Sequence, residues 1–168
     1  MKTLSLKGVY IEDDKSNICV IQELFGQEGL EILSLDELPK DKKDIYPLVA
    51  ELHPDFLLID HELNKLVGYT GYEALCEIRK QDNTIFAVLL TNFAVEDFKA
   101  EFGIYDMEVR KGELNSDIKL NEISTKIRRA CKRADEAEIV SFAQKNLEEA
   151  KARLDILRQI HDEIKEKS

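Results

Sequence analysis

The sequence predicts a doubly wound α/β fold: a five-stranded parallel sheet, helices on both faces, and one long helix at the C-terminal end. Three observations carry that prediction. Short apolar runs alternate with stretches of helical periodicity from residue 6 to about 131, and strands separated by helices build parallel sheets. The runs at 8–13, 56–60 and 85–90 lack polar alternation, as central strands covered on both faces do. After Gly112 there is neither glycine nor proline, so nothing there breaks a helix.

The elements follow in order. Residues 8–13 read as a buried strand. Asp14 is placed to cap a helix reaching about Glu28, with Ile18, Ile21, Leu24 and Phe25 on one face. Gly29 ends it, and 30–35 form a second, alternating strand. Residues 44–52 make a short helix that tolerates Pro47 near its start. Residues 56–60 are the third strand, and Gly71 to Arg79 lie in the next helix. Residues 85–90 are the fourth strand, 94–102 are helical, and 107–111 are a weak fifth strand. The final helix begins near Ser116.

That last helix carries apolar residues at Val140, Ala143, Leu147, Ala150, Leu154, Leu157 and Ile164, with His161 inside the series. The spacing alternates between three and four, a heptad seam. Run from Ser116 to about Lys165, such a helix is roughly 75 Å long at 1.5 Å per residue, longer than a compact domain. Residues 1–131 are therefore expected as one domain and 132–168 as a helical, coiled-coil extension continuous with its last helix. A lone helix would leave the seam in water, so a homodimer is expected. Folding back, or docking on another protein, are the competing solutions. Charges beside the seam include both signs, and no pairing direction is read from them.

Composition narrows the function classes. The chain has 168 residues, 43% of them hydrophobic, and a net charge of −10 from 34 acids against 24 bases. An acidic chain is a poor nonspecific binder of nucleic acid, which needs basic surface. The one basic cluster, Lys126, Arg128, Arg129, Lys132 and Arg133, reads as a solvated helix face. No apolar run approaches the ~20 residues that span a bilayer, and the first residues form no secretory signal. A cytoplasmic location is the expectation. Cys19, Cys76 and Cys131 have neither metal-finger nor redox spacing; Cys19 and Cys76 fall in apolar helical patterns and are expected in the core. No glycine-rich nucleotide loop is visible.

Three strands end in residues with chemistry. Val9-Tyr10-Ile11-Glu12-Asp13-Asp14, Phe56-Leu57-Leu58-Ile59-Asp60 and Val88-Leu89-Leu90-Thr91 each run from apolar to polar, and Lys111 closes the fifth. Strand C-termini of a parallel sheet gather along one edge, where ligands bind. Carboxylates, a hydroxyl and an ammonium meeting there suit a divalent metal and a phosphoryl group.

Over residues 6 to about 131 the chain resembles the receiver domain of two-component response regulators. The resemblance rests on Glu12 and Asp13 after the first strand, Asp60 after the third, Thr91 after the fourth and Lys111 after the fifth. The stretches around Pro54-Asp55-Phe56 and Gly71-Tyr72-Glu73-Ala74-Leu75 support it. It implies the flavodoxin-like receiver fold and a phosphoacceptor rather than an enzyme, with slow self-dephosphorylation at most. Asp60 would be phosphorylated by a histidine kinase or phosphotransfer protein. Mg²⁺ would be held by Asp13 and Asp60, by Glu12 through a water, and by the backbone carbonyl of Glu62. Lys111 would contact phosphoryl oxygens, and Thr91 would donate its hydroxyl and pass the signal on toward the C-terminal helix. Three positions depart from the pattern. Asn92 stands where a small residue is usual, Gly112 where proline is usual, and Glu108 at the aromatic switch position, with Tyr105 out of register. The 61–70 loop is also longer than usual, so Gly68, Tyr69 and Thr70 either cover the acceptor or close a longer turn. The alternative reading is a receiver-like interaction module that is never phosphorylated; a metal-dependent phosphohydrolase is a third.

Overall fold

The computed structural model describes residues 5–63, 67–92 and 103–167. The expected helix at 94–102 lies outside the described residues. The chain divides by its contacts into two units, Met1–Cys131 and Lys132–Ser168.

The first unit is built on a five-stranded, all-parallel sheet of order β2-β1-β3-β4-β5. The strands are β1 (Lys7–Ile11), β2 (Glu31–Ser34), β3 (Phe56–Asp60), β4 (Phe86–Thr91) and β5 (Met107–Arg110). The connecting helices are α1 (Lys15–Gln27), α2 (Ile45–Glu51) and α3 (Gly71–Gln81), followed by α4 (Asp117–Glu166). The doubly wound sheet is the expected one. β1 and β4 each differ from the expected run by a residue or two at their ends. Apolar runs and the hydrogen-bonded ladder need not share ends: β1 begins at exposed Lys7, and β4 reaches polar Thr91.

The period-two rule divides the core. Tyr10, Phe56, Leu58, Val88 and Leu90 face one side with Ile18, Ile21 and Phe25 of α1 and Leu120, Ile123 and Ile127 of α4. Val9, Ile11, Leu57, Ile59, Ala87 and Leu89 face the other, against Ile45 and Val49 of α2 and Ala74, Leu75 and Ile78 of α3. Four-residue β2 sits at the edge, as its alternating sequence predicts.

Caps set where helices start and stop. Asp14 accepts from the Ser16 N–H at 2.8 Å, filling one of the donors a helix start leaves open. Gly29, at φ 74°, reverses the chain after α1, a left-handed turn that costs glycine little. Thr70 and Glu73 form a reciprocal capping box on α3. Pro47 lies in the first turn of α2, where no backbone N–H partner is lost. His53 takes the left-handed φ of 49° just past α2.

Cys19 corrects an expectation. It is exposed, Cys76 is half-buried, and Cys131 is buried. Cys19 follows Ile18 directly, and successive helix positions are ~100° apart. The core face is already set by Ile18, Ile21 and Phe25, which turns Cys19 outward.

The second unit is helix throughout its described length, the C-terminal portion of α4. Val140, Leu147, Leu154, Leu157 and Ile164 are all exposed in it. Among the described residues no helix is long and apolar enough to cross a membrane.

Candidate functional site

Parallel pairing brings the strand ends to one edge. Asp60 closes β3 opposite Leu90, and Thr91 closes β4 opposite Arg110, one residue before Lys111. Glu12 and Asp13 follow β1 directly. Among the described residues Glu12, Asp60 and Thr91 are three of the four buried polar side chains, so this edge is where the fold places charge out of water.

Asp60 is the centre. One carboxylate oxygen, Oδ2, accepts from Lys111 Nζ at 2.5 Å. The other, Oδ1, accepts from the Glu62 N–H at 3.0 Å. Burial pushes its carboxyl up to about 6, and the neighbouring Glu12 carboxylate adds to the rise; Lys111 and the Glu62 N–H oppose it. Desolvation disfavours the charged form, and the ammonium restores it only in part. Asp60 is thus an ionised but poorly solvated carboxylate at neutral pH.

Glu12 is held more completely. Its Oε1 accepts from the Asp13 N–H at 2.8 Å and the Asp14 N–H at 3.1 Å. Its Oε2 accepts from the Tyr10 hydroxyl at 3.0 Å and the Asn17 amide at 3.2 Å, with Lys111 Nζ 3.9 Å away. A carboxylate offers about four lone-pair sites, and four donors fill them. Tyr10 and Asn17 have no part in the expected site. Tyr10 had a legible signal, since residues two apart on a strand share a face, and Tyr10 lies two before Glu12. Burial, with the charges of Asp60 and Glu12, holds the Tyr10 hydroxyl far above the ordinary phenol range, so it stays a donor.

The donor set suits Mg²⁺ in part. Among the described residues the Asp13 carboxylate accepts no hydrogen bond and makes no ion pair, and Glu62 Oε1 is buried without a hydrogen-bond partner. Oxygen groups with lone pairs to spare are what a hard cation takes. Among the described residues no three His, Cys, Asp or Glu side chains make a ready cage. Mg²⁺ commonly uses only one or two carboxylates and completes its shell with water. The residues present therefore fit a site built on Asp13 and Asp60. Glu12, saturated by its own neighbours, would have to release a donor to hold a metal-bound water.

The departures also have a place. Asn92 donates to Glu62 Oε2 at 3.1 Å, tying the end of β4 to the loop after Asp60. Glu108 lies in β5 beside Leu89 and accepts a hydrogen bond from Tyr105. Burial raises Tyr105 and Glu108 alike. Tyr69 is buried and its hydroxyl donates to the Pro39 carbonyl at 2.7 Å. With Thr70 capping α3, both residues serve the turn. Beside Lys111 opens a cavity of about 360 Å³, lined by Tyr10, Asn17, Leu24, Asn92 and Asn115 among others.

Gly71 was legible only as part of a pattern, and the structure gives its reason. A Cβ there would overlap the Asp60 carbonyl and stand 2.8 Å from Ile59 Cγ2, and the Gly71 N–H donates to the His61 carbonyl at 3.0 Å. The start of α3 rests directly on the backbone that presents Asp60.

This architecture is that of response regulator receiver domains. A CheY-like receiver domain from Methylobacillus flagellatus matches with a TM-score of 0.59 at 17% identity, covering 74% of this chain and 99% of that one. TrrA from Thermotoga maritima, in complex with Mg²⁺-BeF, matches with a TM-score of 0.56 at 18% identity over 74% of this chain and 98% of that one; it also matches in a complex with the histidine kinase ThkA. A chain in which a trimeric coiled-coil segment of yeast Spc42 is fused to another solved structure covers 95% of this chain and 97% of its own, with a TM-score of 0.60 at 17% identity. No family model matches the chain, and no curated protein matches it in sequence.

Proposed function

We propose that the chain is a two-component receiver phosphorylated on Asp60, with α4 as the element that carries its output. The observation that supports this most is the buried Asp60 carboxylate, ionised against Lys111, with the unpartnered Asp13 carboxylate next to the same strand edge. The donor would be the phosphohistidine of a histidine kinase or phosphotransfer protein, as the ThkA–TrrA pairing suits.

In the transfer, an Asp60 oxygen attacks phosphorus, an O–P bond forms, and the P–N bond to imidazole breaks. The electron pair leaves with the imidazole nitrogen. An acyl phosphate remains on Asp60. Phosphoryl transfer needs mainly positioning and charge compensation. Lys111 supplies one positive charge, exchanging its contact with the carboxylate for one with phosphoryl oxygens. Mg²⁺, held by Asp13, Asp60 and the Glu62 carbonyl, would neutralise the charge on donor and acceptor when bound. Thr91, buried at the end of β4, would offer its hydroxyl to a phosphoryl oxygen. The usual aromatic relay has no direct counterpart here, since Tyr105 is engaged with Glu108.

A second reading has its own support. The saturation of Glu12 and the Asn92–Glu62 hydrogen bond are what a receiver-like interaction module, never phosphorylated, would retain.

Acetyl phosphate with Mg²⁺ separates the two. A hydroxylamine-sensitive phosphoryl adduct, absent in Asp60→Asn and weakened in Asp13→Ala, is the expected result. A folded protein that binds the metal and takes no phosphoryl group from any donor is the module. In either case the exposed stripe on α4 needs a covering. A second copy, giving a homodimer, is the simplest candidate from the seam alone.

A further inference from the structure

We propose that the stripe on α4 is built for an amphipathic helix of another protein, one with acidic residues flanking its own seam, in preference to a second copy of this chain. This rests on α4 being the output element.

The heptad register makes the argument. With Val140, Leu147, Leu154 and His161 at a, and Ala143, Ala150, Leu157 and Ile164 at d, the flanking e positions are Gln144, Lys151, Arg158 and Lys165. The g positions are Ile139, Asn146, Arg153 and Ile160. Every charge beside the seam is positive. The acids of the same stretch fall away from it, Glu148, Glu149, Asp155, Asp162 and Glu163 at b and c and Glu166 at f. This corrects the expectation that charges beside the seam include both signs: both signs occur on this stretch of the helix, but only bases flank the seam.

Flanking charges choose a coiled-coil partner. In a parallel self-pair, Arg153 meets Arg158 of the second copy. In an antiparallel self-pair, e faces e and g faces g, again base against base or base against neutral. No orientation of two identical helices gives an opposite-charge contact at these positions. An acidic-flanked helix satisfies every base in either orientation. The bases are available for it. Among the described residues only Arg158 of the four has an ion pair, to the outward Asp155 at 3.9 Å with both side chains largely exposed. A contact of that kind is weak. The seam itself is ready, with Leu147 and Leu154 about half exposed and Leu157 and Ile164 more so. Ala143 and Ala150 let a partner backbone come close.

The test uses the full chain and two synthetic helical peptides with the same leucine and isoleucine seam, one with Glu and one with Lys at every e and g position. Each repels itself, so neither peptide masks the result by self-pairing. The Glu peptide is expected to bind at least about tenfold more tightly than the Lys peptide, with binding that weakens as salt rises. The fourfold variant Lys151→Glu, Arg153→Glu, Arg158→Glu, Lys165→Glu should reverse the preference while keeping the helical circular dichroism of the parent. Sedimentation should show the wild-type chain monomeric alone. Equal binding of the two peptides would overturn the proposal. So would a stable wild-type homodimer or trimer that the Glu peptide does not dissociate. Peptide binding is measured with no phosphodonor present, so its outcome is read separately from the phosphorylation of Asp60.

Discussion

The strand-edge site and the C-terminal stretch of α4 treat polarity in opposite ways. At the strand edge, Glu12 and Asp60 are charged side chains taken out of water, and donors from four different segments meet them. Beyond Cys131, leucines and isoleucines stand in water and the bases beside them have almost no partner. Buried charge persists only where it is paired, so the first region is finished within one chain. An exposed apolar stripe is an unfinished surface. The first region should therefore be costly to alter in the isolated protein, and the second nearly free to alter until a partner is supplied.

The sharpest break in the first region is Gly71→Ala. The added Cβ meets the Asp60 backbone, which no side-chain rotation can relieve. Overpacking against a fixed backbone costs roughly 1–3 kcal/mol and occasionally more. The upper end is expected here, read as a fall in the denaturant midpoint, together with weaker Mg²⁺ binding because Asp60 must move. An unchanged midpoint would mean that α3 can lift away from β3 without cost.

Arg79→Ala comes next. Its guanidinium donates to the carbonyls of Ile104 and Ile85, each at 2.7 Å, and pairs with Asp106 at 3.0 Å. Asp106 in turn accepts from the Ala87 N–H at 2.8 Å. Charge-assisted hydrogen bonds of this kind contribute about 1.5–3 kcal/mol. A loss of about 2 kcal/mol is expected, with hydrogen exchange fastest at the β4–β5 edge.

Tyr10→Phe removes one donor from Glu12 without changing shape much. A loss of about 1 kcal/mol is expected. Because a lone pair on Glu12 Oε2 is released, Mg²⁺ affinity should rise or hold. A fall in affinity would show that Tyr10 keeps Glu12 in position for the metal.

The pH dependence of the metal-free protein has a defined sign. Asp60 titrates near 6 when folded and near 4 when unfolded. Its contribution to stability is present in full below about pH 4 and is lost as pH rises through about 6, because the unfolded chain gives up the proton first. The difference in denaturant midpoint between wild type and Asp60→Asn isolates this group. It should change through that window and flatten above it. A difference that does not vary with pH would mean that Lys111 compensates the burial entirely.

The sequence carried the site's location further than its wiring. Asp60 and Lys111 could be placed together because parallel strands must end on one edge, and each apolar run showed where its strand ended to within a residue or two. Of Glu12's four hydrogen bonds only that from Tyr10 had a signal; those from the Asp13 and Asp14 N–H groups and from Asn17 depend on how the chain turns from β1 into α1. Arg79 looked like an ordinary polar helix residue; its contacts lie in segments 6 and 25 residues away along the chain. The long final helix was legible, since a run with neither glycine nor proline leaves nothing to break it.

The smallest expected effect is the one that most sharpens the contrast. Leu147→Asp with Leu154→Asp places two charges on the stripe of α4. In a buried core such a pair would unfold the protein, since an unpaired buried charge is among the largest single-site penalties. Here both leucines are already about half in water. Little further burial is lost, and aspartate's poorer helix propensity costs only a few tenths of a kcal/mol per site. The denaturant midpoint of the sheet region should stay within about 0.5 kcal/mol of wild type, and Mg²⁺ binding should not change. Association through α4, with the acidic peptide or with any second helix, should disappear. If instead the double variant lowers the midpoint by several kcal/mol, the stripe is covered in the isolated chain, and the two regions are one cooperative structure.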